Sequence, residues 1–168
     1  MALFEPLFTA LNEGGVRYVV VGGVATVLHG HARLTADVDL VIDLERDACR
    51  RTLEVLAHLG LRPRLPVDAM DFADPATRRR WVEEKGMRVF SLVDPENPLR
   101  SVDLFAEPVL DFEELWANAK VIPLRESAVR VASIPHLIEL KRLAGRPKDL
   151  DDIARLEEIQ RRKEESGG

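Results

Sequence analysis

The sequence has a single cysteine, Cys49, so no internal disulfide can form and the chain reads as one for a reducing, cytoplasmic setting. Cys49 lies inside the helix-like run ERDACRRTLEVLAHLG, where a buried structural thiol is the expected role. No apolar run approaches the ~18 residues of a membrane span, and no N-terminal signal pattern is present, so no membrane partner is expected. Positive charge is not in excess: 24 Lys and Arg against 29 Asp and Glu give a net charge of -5, which excludes a globally basic nucleic-acid binder. The four histidines, His29, His31, His58 and His136, make no metal-ligand spacing with Cys49, which argues against a zinc enzyme. Internal repeats and low-complexity segments are missing too.

What is present is enough apolar residue, 46% of 168 positions, for one domain with a real core. The N-terminal run ALFEPLFTALNEGG spaces Leu3, Leu7 and Leu11 and Phe4 and Phe8 as a helix does and stops at Gly14-Gly15. VRYVVVGG reads as a buried strand, VATVLHG as a brief helix, DVDLVID as a second strand, and LERDACRRTLEVLAHLG as a helix closed by Gly60. DPATRRRWVEEKG predicts a helix capped by Asp74, with Pro75 at its first position and Gly86 at its end. MRVFSLV and RSVDLFA read as an antiparallel pair joined by a longer loop, DPENPL. A helical DFEELWANA, the β-like pieces KVIPL and AVRVA, and two helices divided by Gly145 and Pro147 complete the order. The expected class is α/β or α+β: a small mixed sheet flanked by helices, with a core over 16–131, a helical part over 133–163 and a frayed tail over 164–168.

Strand periodicity gives DVDLVID its chemistry. Asp37, Asp39, Val41 and Asp43 share one face and Val38, Leu40 and Ile42 the other, so one face is expected acidic and the other core. Neighbouring carboxylates repel unless a cation lies between them, and Mg²⁺ takes hard oxygens of this kind. Upstream, Gly22-Gly23 ends a strand and opens a helix, where backbone N–H groups can receive a phosphate. Asp103, in SVDLF, is a third acid on a half-buried strand. Should that strand lie beside the first, three acids suffice to hold two Mg²⁺ ions for an in-line phosphoryl transfer.

The stretch GGVATVLHGHARLTADVDLVID resembles the signature of the DNA polymerase β-type nucleotidyltransferase superfamily, and in its longer form that of small bacterial nucleotidyltransferases of the AbiEii toxin type. The resemblance implies a five-stranded or similar mixed sheet, a nucleoside triphosphate as donor, Mg²⁺ as cofactor, and transfer of a nucleoside monophosphate with release of pyrophosphate. By it, Gly22 and Gly23 match the phosphate turn, Asp37 and Asp39 the metal pair, and Asp103 the third acid; Arg33 and Thr35 lie beside the site. Many relatives carry serine where this chain has Gly23, which offers a phosphate only backbone. A second block, LIELKRLAGRPKDLDDIARL, is similar to the C-terminal motif of the same group and implies that Lys141 faces the triphosphate, with Lys148 and Asp149 at the next helix start. A fixed cation there suits the charge that builds on departing pyrophosphate.

The acceptor is open: a tRNA, a protein hydroxyl or a small molecule. Arg78, Arg79, Arg80, Trp81 and Lys85, with Arg62 and Arg64, form a basic and aromatic cluster able to hold RNA phosphates, although a solvated helix face has the same composition. The competing reading is a non-catalytic module on the same fold, one half of a toxin-antitoxin or regulatory pair with a cognate antitoxin. Three retained acids weigh against it, since unpaired charges that do no chemistry cost stability.

Overall fold

A computed structural model describes residues 1–167. Pro6 in the first turn of α1 (Glu5–Glu13) sets its start, and Leu7, Phe8 and Leu11 form its buried stripe; Leu3 lies outside the helix and is exposed. The chain then enters β1 (Tyr18–Val21), whose four residues are all buried. A strand with no exposed side is covered on both faces, so the sheet has a helical layer on each. The brief α2 (Gly22–Leu28) follows, then β2 (Asp37–Ile42) and α3 (Arg46–His58), whose inward stripe is Cys49, Thr52, Leu53 and Leu56. Cys49 is fully buried, and burial pushes its thiol up to about 11.

The two-residue β3 (Arg62–Pro63) and a 3₁₀ turn (Ala69–Ala73) lead to α4 (Pro75–Lys85), which starts on the Asp74 carboxylate accepting from the Thr77 N–H and stops at Gly86 with φ +64°. Then come β4 (Val89–Asp94), β5 (Asn97–Phe105), α5 (Phe112–Asn118), β6 (Lys120–Pro123), β7 (Ala128–Val131), α6 (Ile134–Ala144) and α7 (Pro147–Glu165). The expected long loop between β4 and β5 is a tight turn at Pro95-Glu96: both strands extend into it, past an irregular step at Val93/Asp94. The expected frayed tail from 164 is partly helix, because α7 runs through Glu165 and the Ser166 hydroxyl donates to the Arg162 carbonyl at 2.6 Å. The last residue of that tail lies outside the described residues.

All seven strands join one mixed sheet in the order β3-β4-β5-β2-β1-β7-β6. The pairs β1·β7 and β2·β5 are parallel and the others antiparallel. The sheet exceeds the expected five strands because the pieces KVIPL and AVRVA pair with each other and dock on β1. α1, α3, α4 and the 3₁₀ turn form one helical group, while α2, α6 and α7 form the other, on the face that carries the acids. The core runs through the sheet from Phe8 and Leu11 to Leu40, Leu53, Phe90 and Leu104; each fully buried side chain of this size contributes roughly 1.5–3 kcal/mol. Phe72 stacks on Phe90 with centroids 4.6 Å apart, and Trp81 adds a third ring at 5.9 Å.

One expectation for β2 is corrected here. Val41 is 3% exposed, so the face shared by Asp37 and Asp39 is acidic only at its N-terminal end and turns into core two residues later. The helix layer over that face buries the strand's C-terminal half and leaves only its mouth polar.

Candidate active site

Parallel pairing of β2 with β5 sets Asp37 opposite Ser101 and Asp39 opposite Asp103. Paired residues of adjacent strands share a face, so Asp39 and Asp103 stand side by side, with Asp37 one pleat away on the same face. Asp37 is exposed, and Asp39 and Asp103 are half-buried. On the other side of Asp39, the antiparallel register puts Val21 opposite it, which delivers Gly22 to its carboxylate. A Cβ at Gly22 would lie 2.1 Å from Asp39 Oδ2, and the residue has φ +69°; both facts require glycine.

The electrostatics follow from this crowding. Burial pushes the Asp39 carboxyl up to about 7, helped by the charges of Asp103 and Asp37, while Arg146 and Lys141 pull it back. Asp103 is raised mainly by burial and held down by the Ser91 hydroxyl. Three oxygen-donor side chains with too little positive charge among them are a fitting set for a hard divalent cation, and Asp37, Asp39 and Asp103 are the residues able to hold it. A second group, His31, Asp151 and Asp152, also brings ligand atoms within 4.8 Å of one another. It suits a cation poorly, because Asp152 already pairs with two basic side chains.

A cleft of about 620 Å³ opens from these acids under α6, and Gly22, Asp39, Asp103, Lys141 and Arg146 all line it. Lys141 is 5% exposed, and its Nζ donates to Asp152 Oδ2 at 2.8 Å with Asp149 Oδ1 at 4.0 Å. Arg33 also donates to Asp152 Oδ2, and His31 Nε2 lies 3.6 Å from Asp152 Oδ1. Arg33 and Thr35 close in on Gly23: a Cβ there would meet Thr35 Oγ1 at 2.7 Å and the Arg33 guanidinium carbon at 3.8 Å. The space that a serine side chain would take at position 23 is thus filled by the Thr35 hydroxyl.

Lys148 and Asp149 stand at the start of α7, as expected, and neither lines the cleft. Asp149 is 1% exposed and does not line the cleft; it accepts from the Arg146 backbone N–H at 3.0 Å and from its Nε at 2.8 Å, which ties down the start of α7. Burial pushes the Asp149 carboxyl up, but those hydrogen bonds outweigh it and leave the group below its ordinary value. Lys148 is exposed, does not line the cleft and makes no ion pair among the described residues.

Asp152 and Arg146 are the site residues that the sequence reading passed over. The signal for Asp152 was its three-residue spacing from Asp149, which puts both on one helix face. For Arg146 it was the position just before Pro147, a helix-start residue facing the acids.

The basic cluster is split between interior and surface. Arg78 is 8% exposed and donates to the Phe72 carbonyl at 2.7 Å and the Leu44 carbonyl at 3.1 Å; Trp81 is buried against Phe90. Arg62 bonds the carbonyls of Ala57 and Leu61. The guanidinium groups of Arg78 and Arg62 thus bond backbone carbonyls, while Arg64, Arg79, Arg80 and Lys85 are exposed without the aromatic partner, since Trp81 is buried.

No protein-family model and no curated protein sequence matches the chain. Several solved structures share its fold, among them the following three. An antigenic nucleotidyltransferase-like protein from Paracoccidioides brasiliensis superposes with a TM-score of 0.59 at 17% identity, over 92% of this chain and 73% of that one. The lincosamide antibiotic adenylyltransferase LnuA, lincomycin-bound, does so at 0.57 and 17%, over 94% and 95%. ANT(2")-Ia, in complex with adenylyl-2"-tobramycin, gives 0.58 and 16%, over 95% and 91%. The chain has the mixed α/β fold of these nucleotidyltransferase-like proteins.

Proposed function

We propose that the protein is a Mg²⁺-dependent nucleotidyltransferase that moves a nucleoside monophosphate from a nucleoside triphosphate to an acceptor hydroxyl. The observation that carries this reading is the register of β2 on β5, which sets Asp39 beside Asp103 with Asp37 on the same face and Gly22 against Asp39. The likeness of fold to two adenylyltransferases supports it.

Asp37, Asp39 and Asp103 would hold the metal, which when bound neutralises charge on the triphosphate and favours an ionised acceptor oxygen. Around it the chain's own groups have distinct tasks. The turn at Gly22-Gly23 brings backbone close to the phosphates, with Arg33 and the Thr35 hydroxyl beside it. Lys141 and Arg146, on the α6 side of the cleft, offset the charge that develops on pyrophosphate as it leaves. Asp103 orients the acceptor hydroxyl and receives its proton as the oxygen bonds to the α-phosphorus and the bond from that phosphorus to the pyrophosphate oxygen breaks. Asp152 holds Lys141 and Arg33 in place from behind.

Incubation with each α-labelled triphosphate, Mg²⁺ and a bacterial lysate or total RNA tests this, with Asp37→Ala/Asp39→Ala as the control. Label transferred by the native chain and lost in the control is expected. Label that moves equally in both, or in neither, sinks the reading.

A further inference from the structure

Asp39 and Asp103 make up only part of the cleft lining. Two residues beyond Asp103 on the same strand face stands Phe105, paired in register with Val89, and opposite them α6 contributes Leu140 and Leu143. Val109 also lines the cleft, as do one exposed acid and one exposed base, Glu107 and Arg88. Phe105, Val109 and Leu140 are only partly buried and Leu143 is 66% exposed, so apolar surface is left uncovered at one place directly beside Asp103. Contiguous uncovered apolar wall in a concave site marks a ligand contact.

We infer that this apolar half of the cleft holds the acceptor and that the acceptor is a small, uncharged molecule with a ring or hydrocarbon body that presents its hydroxyl to Asp103. The inference rests on the nucleotidyltransferase reading. Charge decides between acceptor classes. A polyanion needs a row of cations, and of the cations that line the cleft Lys141 and Arg146 act on the Asp39 charge; Arg88 alone remains, with Glu107 in the same lining. A polycation needs uncompensated acids, and those present are the ones engaged with the metal. An apolar body gains from displacing water along Phe105, Leu140 and Leu143 and asks for no further charge.

The test uses the full chain with Mg²⁺ and the non-hydrolysable α,β-methylene analogues of the four triphosphates. The acceptor probe is 2-naphthalenemethanol, an uncharged fused ring with one hydroxyl, set against spermidine and bulk tRNA. Saturable binding of 2-naphthalenemethanol is expected, weakened about tenfold by Leu140→Glu and by Leu143→Glu, with triphosphate affinity held within about twofold. Leu143 is exposed, so its variant folds even where the Leu140 one does not. Loss of triphosphate affinity in step with the probe would assign the apolar wall to the donor's base and overturn the inference. So would naphthalenemethanol binding indifferent to both variants, or tRNA or spermidine binding that displaces it. If no triphosphate analogue binds the native chain, the parent reading falls and this inference with it.

Discussion

Gly22 is where the local backbone and the site depend on each other most closely. Its positive φ and the 2.1 Å approach of Asp39 Oδ2 to its would-be Cβ mean that alanine must displace the carboxylate. Gly22→Ala is therefore expected to abolish the Mg²⁺-dependent rise in melting temperature and to destabilise the fold by about 1–2 kcal/mol. Gly23 gives a companion case. A serine Cβ there collides with Thr35 Oγ1, so Gly23→Ser should weaken triphosphate binding in calorimetry, and Thr35→Ala on top of it should recover much of the loss. The two glycines were legible in the sequence as a turn. Thr35 as the occupant of the missing side chain's space was not, because the loop from Gly30 to Ala36 has no periodicity that fixes where a side chain lies.

Asp39 gives the site a pH signature. Its carboxyl is raised to about 7, so between about pH 4 and about pH 7 the folded metal-free chain holds a proton that the unfolded chain has released. That contribution to stability is complete below the unfolded value and is lost as pH rises through the folded one. Melting of the metal-free protein should fall between about pH 4 and about pH 7, Asp39→Asn should flatten the fall, and the stabilisation by Mg²⁺ should be larger at the higher pH.

Among the elements, α6 and α7 act as one unit. They are joined at Asp152, which is 3% exposed and pairs with Lys141 from α6 and Arg33 from the loop before β2. Removing one partner from a buried pair strands the others, so Asp152→Ala should cost about 3 kcal/mol in urea denaturation, whereas Asp151→Ala, at an exposed neighbour, should be near neutral. The caps of α4 and the glycine stop of α6 were readable from residue order, since Asp74, Gly86 and Gly145 are local signals. The inward turn of Arg78 was not. A guanidinium at a helix start looks the same in sequence whether it faces solvent or the carbonyls of Phe72 and Leu44. Arg78→Ala is expected to destabilise by about 1–3 kcal/mol, and Arg79→Ala and Arg80→Ala by less than about 0.5, in the same assay.

At the scale of the whole molecule, the sheet order is what makes a site from scattered residues. Asp39 and Asp103 are brought together by a parallel pairing that spans α3, β3, α4 and β4, a long-range contact that no local pattern announces. Strand alternation in SVDLF made Asp103 a candidate and the sequence resemblance matched it, and only the register sets it beside Asp39. The same holds for the cleft, whose apolar wall comes from β4, β5 and α6 together.

The most direct test of the three-acid site is calorimetric titration of the protein with the non-hydrolysable triphosphates, with Mg²⁺ and with a chelator, for the native chain and for Asp37→Asn/Asp39→Asn. Binding of at least one triphosphate that requires Mg²⁺ and weakens at least about tenfold in the double variant is expected. Equal affinity with and without Mg²⁺, unchanged by loss of the two acids, would contradict it.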